Sequence, residues 1–271
     1  MRPARSAGPC GIVNRRAACA GIAMSLSSAM PLAGQTAGSV EVGHGEARLT
    51  NSYPAWRSTY ARATLPLAQN TFGLELAHRD AFGDDGVFAG ASATRAFGAD
   101  FYATASAGAS AGGFFFPRAV TGVMLARKWL ARRQLVTTSS FTYFRQKDAH
   151  RDVLWTPSVV YWLRVPAVVE GGVSVARSSP GAVVSASPFV AGRVGDPMRR
   201  SVSARVSAGR EAYTRLGADT ALVSFNSHTF SAAWRERVIP DAGFVLEAER
   251  YANVAYARTG ISLGLFFALR R

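Results

Sequence analysis

The last stretch of the chain, residues 256–269, constrains the fold most, because its side chains alternate between two chemical characters. One parity carries almost only apolar residues, whereas the other carries Arg258, Ser262, two glycines and, as an exception, Phe266. A period of two places successive side chains on opposite faces of a β-strand. The stretch therefore predicts a strand with one apolar and one polar face, which soluble β-sandwiches also contain.

The end of this strand narrows the choice of fold class. It holds a polar residue, a glycine and two large apolar residues, namely Ser262, Gly264, Phe267 and Leu269. This order resembles the C-terminal β-signal of bacterial outer-membrane proteins, although two arginines follow it where many such proteins end. The resemblance implies an outer-membrane location, with the barrel assembly machinery and outer-membrane lipid as partners. Because Phe267 lies on the apolar parity, Phe267→Asp is predicted to damage assembly more than Phe266→Asp.

The first 37 residues have the features of a signal peptide. Four arginines, the last of them Arg16, form a basic region, and the apolar or small residues 17–33 follow it. This segment is shorter and richer in serine than a membrane helix, and its order is typical of a secretory signal. We expect cleavage near residues 33–37, which leaves residues 38–271 as the mature domain. The alternative is a disordered or buried N-terminal helix. Both cysteines of the chain fall in the signal, so the mature domain needs no disulfide.

The basic charge of the chain narrows the choice of partners. The formal net charge is +14, and the four arginines of residues 1–37 contribute only part of it. Basic proteins bind nucleic acids, anionic glycans or anionic lipids. Nucleic-acid binders usually cluster Lys and Arg on a helix or a patch, whereas here the arginines are spread through strand-like stretches. We therefore expect no nucleic acid as a partner.

Residues 38–271 repeat one unit, a strand-like segment of about ten residues followed by a short turn, as in transmembrane barrels. Apolar runs stay below the ~18 residues of a spanning helix, and a spanning sheet must close on itself. The predicted fold is all-β, an antiparallel up-and-down transmembrane β-barrel of about 12–14 strands with both termini in the periplasm. Twelve strands would follow if segment 219–237 hides a bulge at Asn226 and Ser227. The fourteen segments lie at approximately 39–49, 54–65, 71–81, 86–96, 100–110, 118–130, 134–145, 152–164, 167–178, 182–194, 199–209, 219–237, 243–252 and 256–269.

The polar parity of several segments carries Ser, Thr, Arg and Glu, as the lumen of a barrel would. A charge on the lipid face at the midplane costs about 2–4 kcal/mol, so the arginines are expected to point inward. The charged residues that we assign to the lumen on this basis are Arg62, Glu75, Arg79, Arg95, Arg193, Arg205, Glu247 and Arg258. The arginines outnumber the acids in this set. We expect the surplus charge to face water or an anionic partner, because an unpaired guanidinium is costly in a dry interior.

Five short motifs of the mature domain resemble the YaiO family of outer-membrane β-barrel proteins, and the similarity extends over residues 40–269. They are RDAFG at 79–83, FPR at 116–118, SPG at 179–181, GREAY at 209–213 with Leu216-Gly217, and the terminal strand with Tyr256 and Gly260. The resemblance implies a barrel of about a dozen strands in the outer membrane, without established catalytic residues. Many members carry helical repeats before the barrel, and some resemble parts of glycan-export systems.

The sequence offers few candidates for catalysis or metal binding. Its four histidines, at positions 44, 78, 150 and 228, have no metal-ligand spacing. A barrel hydrolase needs a serine or aspartate near a rim histidine, and His150 stands close to Asp148 and Asp152. We interpret that stretch as a solvated loop, and His44 with Glu46 as a polar pair in the lumen. We therefore expect neither a metal, a cofactor nor an enzymatic activity.

Three function classes remain open. In the first, the arginine-rich lumen passes or holds an anionic solute or glycan. In the second, the barrel is structural or binds at the surface, its lumen is plugged, and loop acids such as Asp84 and Asp85 neutralise the arginines. A barrel lipase or protease is the third. Side chains can fill a barrel of this size, so the pattern alone separates none of them.

Overall fold

The protein forms one closed β-barrel. A computed structural model describes residues 38–215 and 221–269. Every strand pairs antiparallel with its neighbours in sequence, and the first strand pairs with the last. The strands are β1 Gly38–Leu49, β2 Trp56–Leu67, β3 Asn70–Ala81, β4 Asp84–Phe97, β5 Phe101–Gly112, β6 Ala119–Trp129, β7 Leu135–Arg145, β8 Arg151–Trp162, β9 Ala167–Ser179, β10 Val183–Asp196, β11 Arg200–Arg215, β12 Ala221–Ile239, β13 Ala242–Asn253 and β14 Ala257–Leu269. The predicted signal peptide at residues 1–37 lies outside the described residues.

The predicted fold class is confirmed, with fourteen strands rather than twelve. The long segment is the single strand β12, in which Asn226 and Ser227 pair regularly with Arg210 and Gly209 of β11. Its irregularity is a register shift between Arg237 and Ile239 against β13, so the expected bulge site was wrong. Within residues 38–215 and 221–269, no helix is long and apolar enough to cross a membrane.

Alternation along the strands divides the barrel into an outer and an inner face. In β14 the outer residues Leu263, Leu265 and Phe267 are about half exposed, at 54%, 51% and 48%, whereas the inner residue Phe266 is 1% exposed. Comparable apolar side chains line the outer face of the other strands. Soluble monomers rarely expose a continuous apolar surface of this kind. It is the surface that a transmembrane barrel presents to lipid.

The two ends of the barrel differ in their connections. The end that carries both termini has short turns such as 68–69 and 240–241, and we name it the turn end. The opposite end, the loop end, carries the longest described connections, 50–55 and 113–118. In bacterial barrels the termini and short turns face the periplasm, and the longer loops face outward.

The β5–β6 loop, residues 113–118, folds into the barrel mouth at the loop end. Gly112 and Gly113 both have positive φ, at 61° and 51°, a conformation that favours glycine and turns the chain inward. Phe115 and Phe116 are consequently buried against Trp56, Phe88 and neighbouring apolar residues. We name these four aromatic residues the aromatic cap.

Hydrogen bonds hold the loop in this position. The Phe114 amide donates to Asp84 Oδ2 at 2.9 Å, and Lys147 Nζ donates to the Gly113 carbonyl at 2.7 Å. The hydroxyl of Ser110 donates to the Pro117 carbonyl at 2.7 Å. The cap is therefore anchored to β4, β5 and the β7–β8 connection.

Candidate functional site

The inner face of β12 to β2 carries a network of charged and aromatic side chains. Arg235 Nη1 of β12 donates to Glu41 Oε2 of β1 at 2.8 Å, and the Tyr60 hydroxyl donates to Glu41 Oε1 at 3.1 Å. The Arg235 guanidinium lies 3.6 Å from the centre of the Phe266 ring. This arginine thus reaches across β13 and β14 to tie β12 to β1, on the wall where the first and last strands meet.

Glycines on this wall leave space for the aromatic rings. A Cβ at Gly43 would lie 2.5 Å from the Tyr60 ring, and one at Gly264 would lie 2.7 Å from the Tyr60 hydroxyl. Likewise, a Cβ at Gly243 would lie 2.7 Å from the Phe266 ring. Gly264 of the predicted assembly signal therefore also has a packing role inside the barrel.

Two further ion pairs line the lumen. Arg62 Nε and Glu75 Oε1, on directly opposed positions of β2 and β3, are 3.4 Å apart. Arg258 Nε donates to Glu249 Oε1 at 3.0 Å. Glu247 accepts a hydrogen bond from Ser262 Oγ at 3.2 Å. Arg62, Arg235 and Arg258 of the inner face are thereby each paired with a carboxylate.

Arginines also lie directly beneath the aromatic cap. The Arg258 guanidinium is 4.3 Å from the centre of the Trp56 ring. That of Arg79 is 5.8 Å from the same ring and 5.5 Å from the Phe116 ring. The π-faces of the rings attract these cations. The cap thus contacts the charged interior instead of standing apart from it.

The rim of the loop end adds a second aromatic group. Phe82 packs edge-on against Tyr53, Trp56 and Tyr256, with ring centres 5.8, 4.9 and 6.1 Å away. Tyr256 lies in the connection between β13 and β14, and burial raises the pKa of its phenol to about 12. These rings therefore form one aromatic cluster at the loop end.

The opposite wall, β4 to β11, is lined by hydroxyl groups. Pairs of Ser and Thr hydroxyls bridge neighbouring strands at 2.7–3.3 Å, namely Thr94 with Thr104, Thr138 with Ser158, and Thr156 with Ser174. The Ser158 hydroxyl also donates to Glu170 at 2.8 Å. At the turn end this wall becomes apolar, with Tyr102, Val136, Val160 and Val168 buried together.

Two arginines of this wall rest on aromatic rings. The Arg205 guanidinium is 3.6 Å from the centre of the Phe189 ring, and that of Arg193 is 6.0 Å from the Trp162 ring. Arg193 Nε is buried and has no hydrogen-bond partner among the described residues. Arg193 is opposite Ser203, two residues from Arg205, so the two arginines are diagonal neighbours across β10 and β11.

Seven of the eight residues that parity assigned to the lumen lie on the inner face, and Arg95 does not. The inner residues are Arg62, Glu75, Arg79, Arg193, Arg205, Glu247 and Arg258. Arg95 is exposed on the outer parity of β4, where its guanidinium lies 5.7 Å from the Phe97 ring. It stands near the turn end, where the penalty for a charge on the lipid face falls to about 0–1 kcal/mol.

The expected polar pair in the lumen was also wrong. His44 and Glu46 lie on the outer parity of β1, and His44 Nδ1 bonds the outward Thr59 hydroxyl at 2.9 Å. Asp84 accepts a hydrogen bond from the Phe114 amide of the β5–β6 loop. Asp85 lies on the outer face, 3.7 Å from His78. The acids proposed to neutralise the lumen arginines therefore have other partners.

Sequence reasoning missed several inner charges. Glu41, Glu170, Glu249 and Arg235 all face inward. Glu249 shares the parity of Glu247, so the alternation in β13 could have assigned Glu249 to the lumen as well. The added carboxylates reduce the positive surplus that parity alone predicted. In the described part of the chain, the inner arginines without a carboxylate at ion-pair distance are Arg79, Arg193, Arg205 and, on β12, Arg237.

The histidine candidate for hydrolysis lies in the β7–β8 connection. His150 Nδ1 is 3.0 Å from Asp148 Oδ2, and its ring stacks on Tyr213 at 4.2 Å. Asp152 instead faces inward and accepts a hydrogen bond from Gln146 at 2.9 Å. Across residues 38–215 and 221–269, no group of three His, Cys, Asp or Glu residues is placed to hold a metal ion.

Solved structures of outer-membrane barrels are similar to this fold. Omp33 of Acinetobacter baumannii aligns with a TM-score of 0.50 and 11% identity over 84% of this chain and 97% of that chain. OccK11 (OpdR) of Pseudomonas aeruginosa aligns at 0.48 and 11% identity over 86% and 95%. The translocator domain of the autotransporter NalP of Neisseria meningitidis aligns at 0.44 and 10% identity over 90% and 92%.

The sequence itself matches one family. No curated protein sequence matches the chain at a significant level. The model of the YaiO membrane β-barrel domain matches residues 37–214, which is more than half of the chain. The predicted family and the predicted outer-membrane location are thereby confirmed. The chain belongs to the YaiO family of β-barrel proteins of the bacterial outer membrane.

Proposed function

We propose that this YaiO barrel is a narrow conduit for small anionic solutes. The observation that carries the proposal is the exposure of the Arg62–Glu75 pair inside the barrel. Both residues are on the inner parity, yet their side chains are 32% and 30% exposed. Because the wall behind them is closed sheet, that exposed surface faces the lumen. Room for water or a small solute therefore exists beside the pair.

The preference for anions rests on Arg79, Arg193 and Arg205. Each faces inward on an aromatic ring, and no carboxylate is at ion-pair distance among the described residues. Guanidinium groups stay charged at any physiological pH. Fixed positive charges in a water-filled passage attract anions and thereby set the ion selectivity of the passage.

A plugged structural barrel is the second candidate, and the aromatic cap favours it. Phe115 and Phe116 are buried in the loop-end mouth, and the ion pairs of Glu41 and Glu249 stabilise the wall without any solute. In this candidate the inner arginines serve stability alone. A long glycan would require the cap to move aside, which makes a small solute the better substrate.

We infer transport instead of catalysis. The His150–Asp148 pair is the candidate for hydrolytic chemistry, because the bond through Nδ1 leaves Nε2 free, as in a catalytic base. A base must also aim that nitrogen at a nucleophile, and within the described residues no hydroxyl is hydrogen-bonded to His150 Nε2, while the imidazole stacks on Tyr213. Incubation of folded protein with ester and peptide substrates is expected to give no turnover above that of a His150→Ala variant.

Ion selectivity tests the conduit. Purified protein in planar bilayers is expected to conduct with a preference for anions, measured as the reversal potential in a salt gradient. Arg193→Glu with Arg205→Glu should abolish or invert that preference, since both charges then have the opposite sign. Arg95→Glu with Arg127→Glu changes the same charge on the outer parity and should leave selectivity unchanged. Correctly folded protein that never conducts would establish the plugged barrel as the better account.

Removal of the cap rings tests which mouth limits the current. Phe115→Ala with Phe116→Ala is expected to raise single-channel conductance several-fold, because two buried rings leave the loop-end mouth. Phe97→Ala with Phe101→Ala removes two exposed outer rings and serves as the matched control. Equal conductance of the cap variant and the control would show that the constriction lies elsewhere.

A further inference from the structure

Three outward arginines lie together at the loop end of β7, β8 and β9. Arg145 and Arg151 are directly opposed across the β7–β8 ladder. Arg177 is opposite Val153, two residues from Arg151, so it is their diagonal neighbour. All three are exposed on the outer parity. We name Arg145, Arg151 and Arg177 the arginine triplet.

The described residues supply no acidic side chain that pairs with the triplet. Like charges directly opposed across strands destabilise a sheet, and the outer faces of β7, β8 and β9 hold no acid. None of the three forms an ion pair or a side-chain hydrogen bond within the described residues. Of the nearby acids, Asp148 bonds His150, and Asp152 faces inward and accepts from Gln146 and Ser178.

Another arginine at the loop end has acidic residues opposite it on both sides. Arg57 is directly opposite Glu46 of β1 on one side and Asp80 of β3 on the other. Both acids share its outer parity. The triplet has no acid in the corresponding positions across its ladders.

An apolar groove lies directly beneath the triplet on the outer face. Tyr143 and Val153 are directly opposed on the same face, one outer pair below Arg145 and Arg151. Together with Thr121, Val123 and Phe141 they line a groove of about 300 Å³. A stacked pair, Phe141 and Trp155 with ring centres 6.1 Å apart, continues the apolar surface below it.

We propose that the arginine triplet and this groove bind one phosphorylated lipid of the outer leaflet, with its phosphate on the guanidinium groups and an acyl chain in the groove. The planar fork of arginine matches phosphate oxygens in pairs. A bound phosphate also removes the repulsion between Arg145 and Arg151. A free anion would need no groove, whereas a lipid uses both features, and the loop end lies in the outer leaflet.

Lipid titration tests the site. Full-length folded protein in detergent is titrated with diphosphorylated lipid A, and bound lipid is counted by native mass spectrometry. Replacement of all three triplet arginines by glutamine is expected to weaken binding by about one hundredfold, since each basic residue near an anionic lipid surface contributes a share. The control replaces Arg48, Arg57 and Arg250 on the same outer rim by glutamine. Because these arginines lie on β1, β2 and β13, away from the groove, the affinity should stay within about threefold.

Two further arms separate a lipid from a free anion. Val123→Trp with Val153→Trp fills the groove while leaving the triplet intact, and should weaken binding of lipid A. Inorganic phosphate at the same phosphate concentration should displace little of the lipid. Three outcomes would each overturn the proposal. Inorganic phosphate displaces all of the lipid, the variant with the filled groove binds lipid A as well as the native chain, or the triplet and control variants lose the same affinity.

Discussion

Phe267→Asp is expected to reduce the assembled barrel in outer membranes by about tenfold, because its side chain lies in the apolar belt. Phe267 is on the outer parity of β14 and 48% exposed. The penalty for a charge on this face runs from about 0–1 kcal/mol near the interface to 2–4 at the midplane. A tenfold effect corresponds to ~1.4 kcal/mol and falls inside that range. Membrane fractionation and the mobility of unheated samples on gels measure the assembled amount.

The neighbouring residue provides a matched control. Ala268 is the next residue of β14 and lies on the inner parity, so Ala268→Asp places the same carboxylate at the same end of the strand but toward the lumen. Its assembly should stay close to that of the native chain, and Phe267→Leu should do the same. Equal assembly of Phe267→Asp and Ala268→Asp would refute the role of the apolar face in the assembly signal.

Phe266 illustrates the limit of what alternation predicts. The pattern assigned it correctly to the inner face. It carried no information on what covers the ring, which is the Arg235 guanidinium at 3.6 Å. Phe266→Asp would therefore remove a buried ring and disturb an ion pair as well. For this reason Ala268, and not Phe266, is the proper control for Phe267.

The fold was predictable because the signals for it are local. A period of two is set by the strand backbone, and short turns fix which strands are neighbours. The depth of a residue in the membrane is a property of the whole barrel, and this explains the error at Arg95. The inward fold of Phe115 and Phe116 depends on Trp56 of β2 and Phe88 of β4, which are distant from the loop in sequence. No pattern within the loop sequence indicates it.

The Glu41–Arg235 pair could not be predicted from sequence patterns either, since 194 positions separate its members.

Loss of this pair has the second large expected effect. Glu41→Gln should lower the free energy of unfolding by about 3–5 kcal/mol, because removal of one partner leaves a buried charge uncompensated. The side chains of Arg235 and Glu41 are only 20% and 14% exposed. Denaturant unfolding of the barrel in lipid vesicles, followed by tryptophan fluorescence, measures the change.

An exposed pair at the turn end provides the comparison. Arg133 Nε and Asp100 Oδ1 are 2.7 Å apart, but their side chains are 52% and 51% exposed. Asp100→Asn should therefore cost less than about 1 kcal/mol. The double variant Glu41→Gln with Arg235→Gln should recover part of the loss, because no unpaired charge then remains on the wall. If Glu41→Gln costs no more than Asp100→Asn, the link from β12 to β1 contributes nothing to the closure of the barrel.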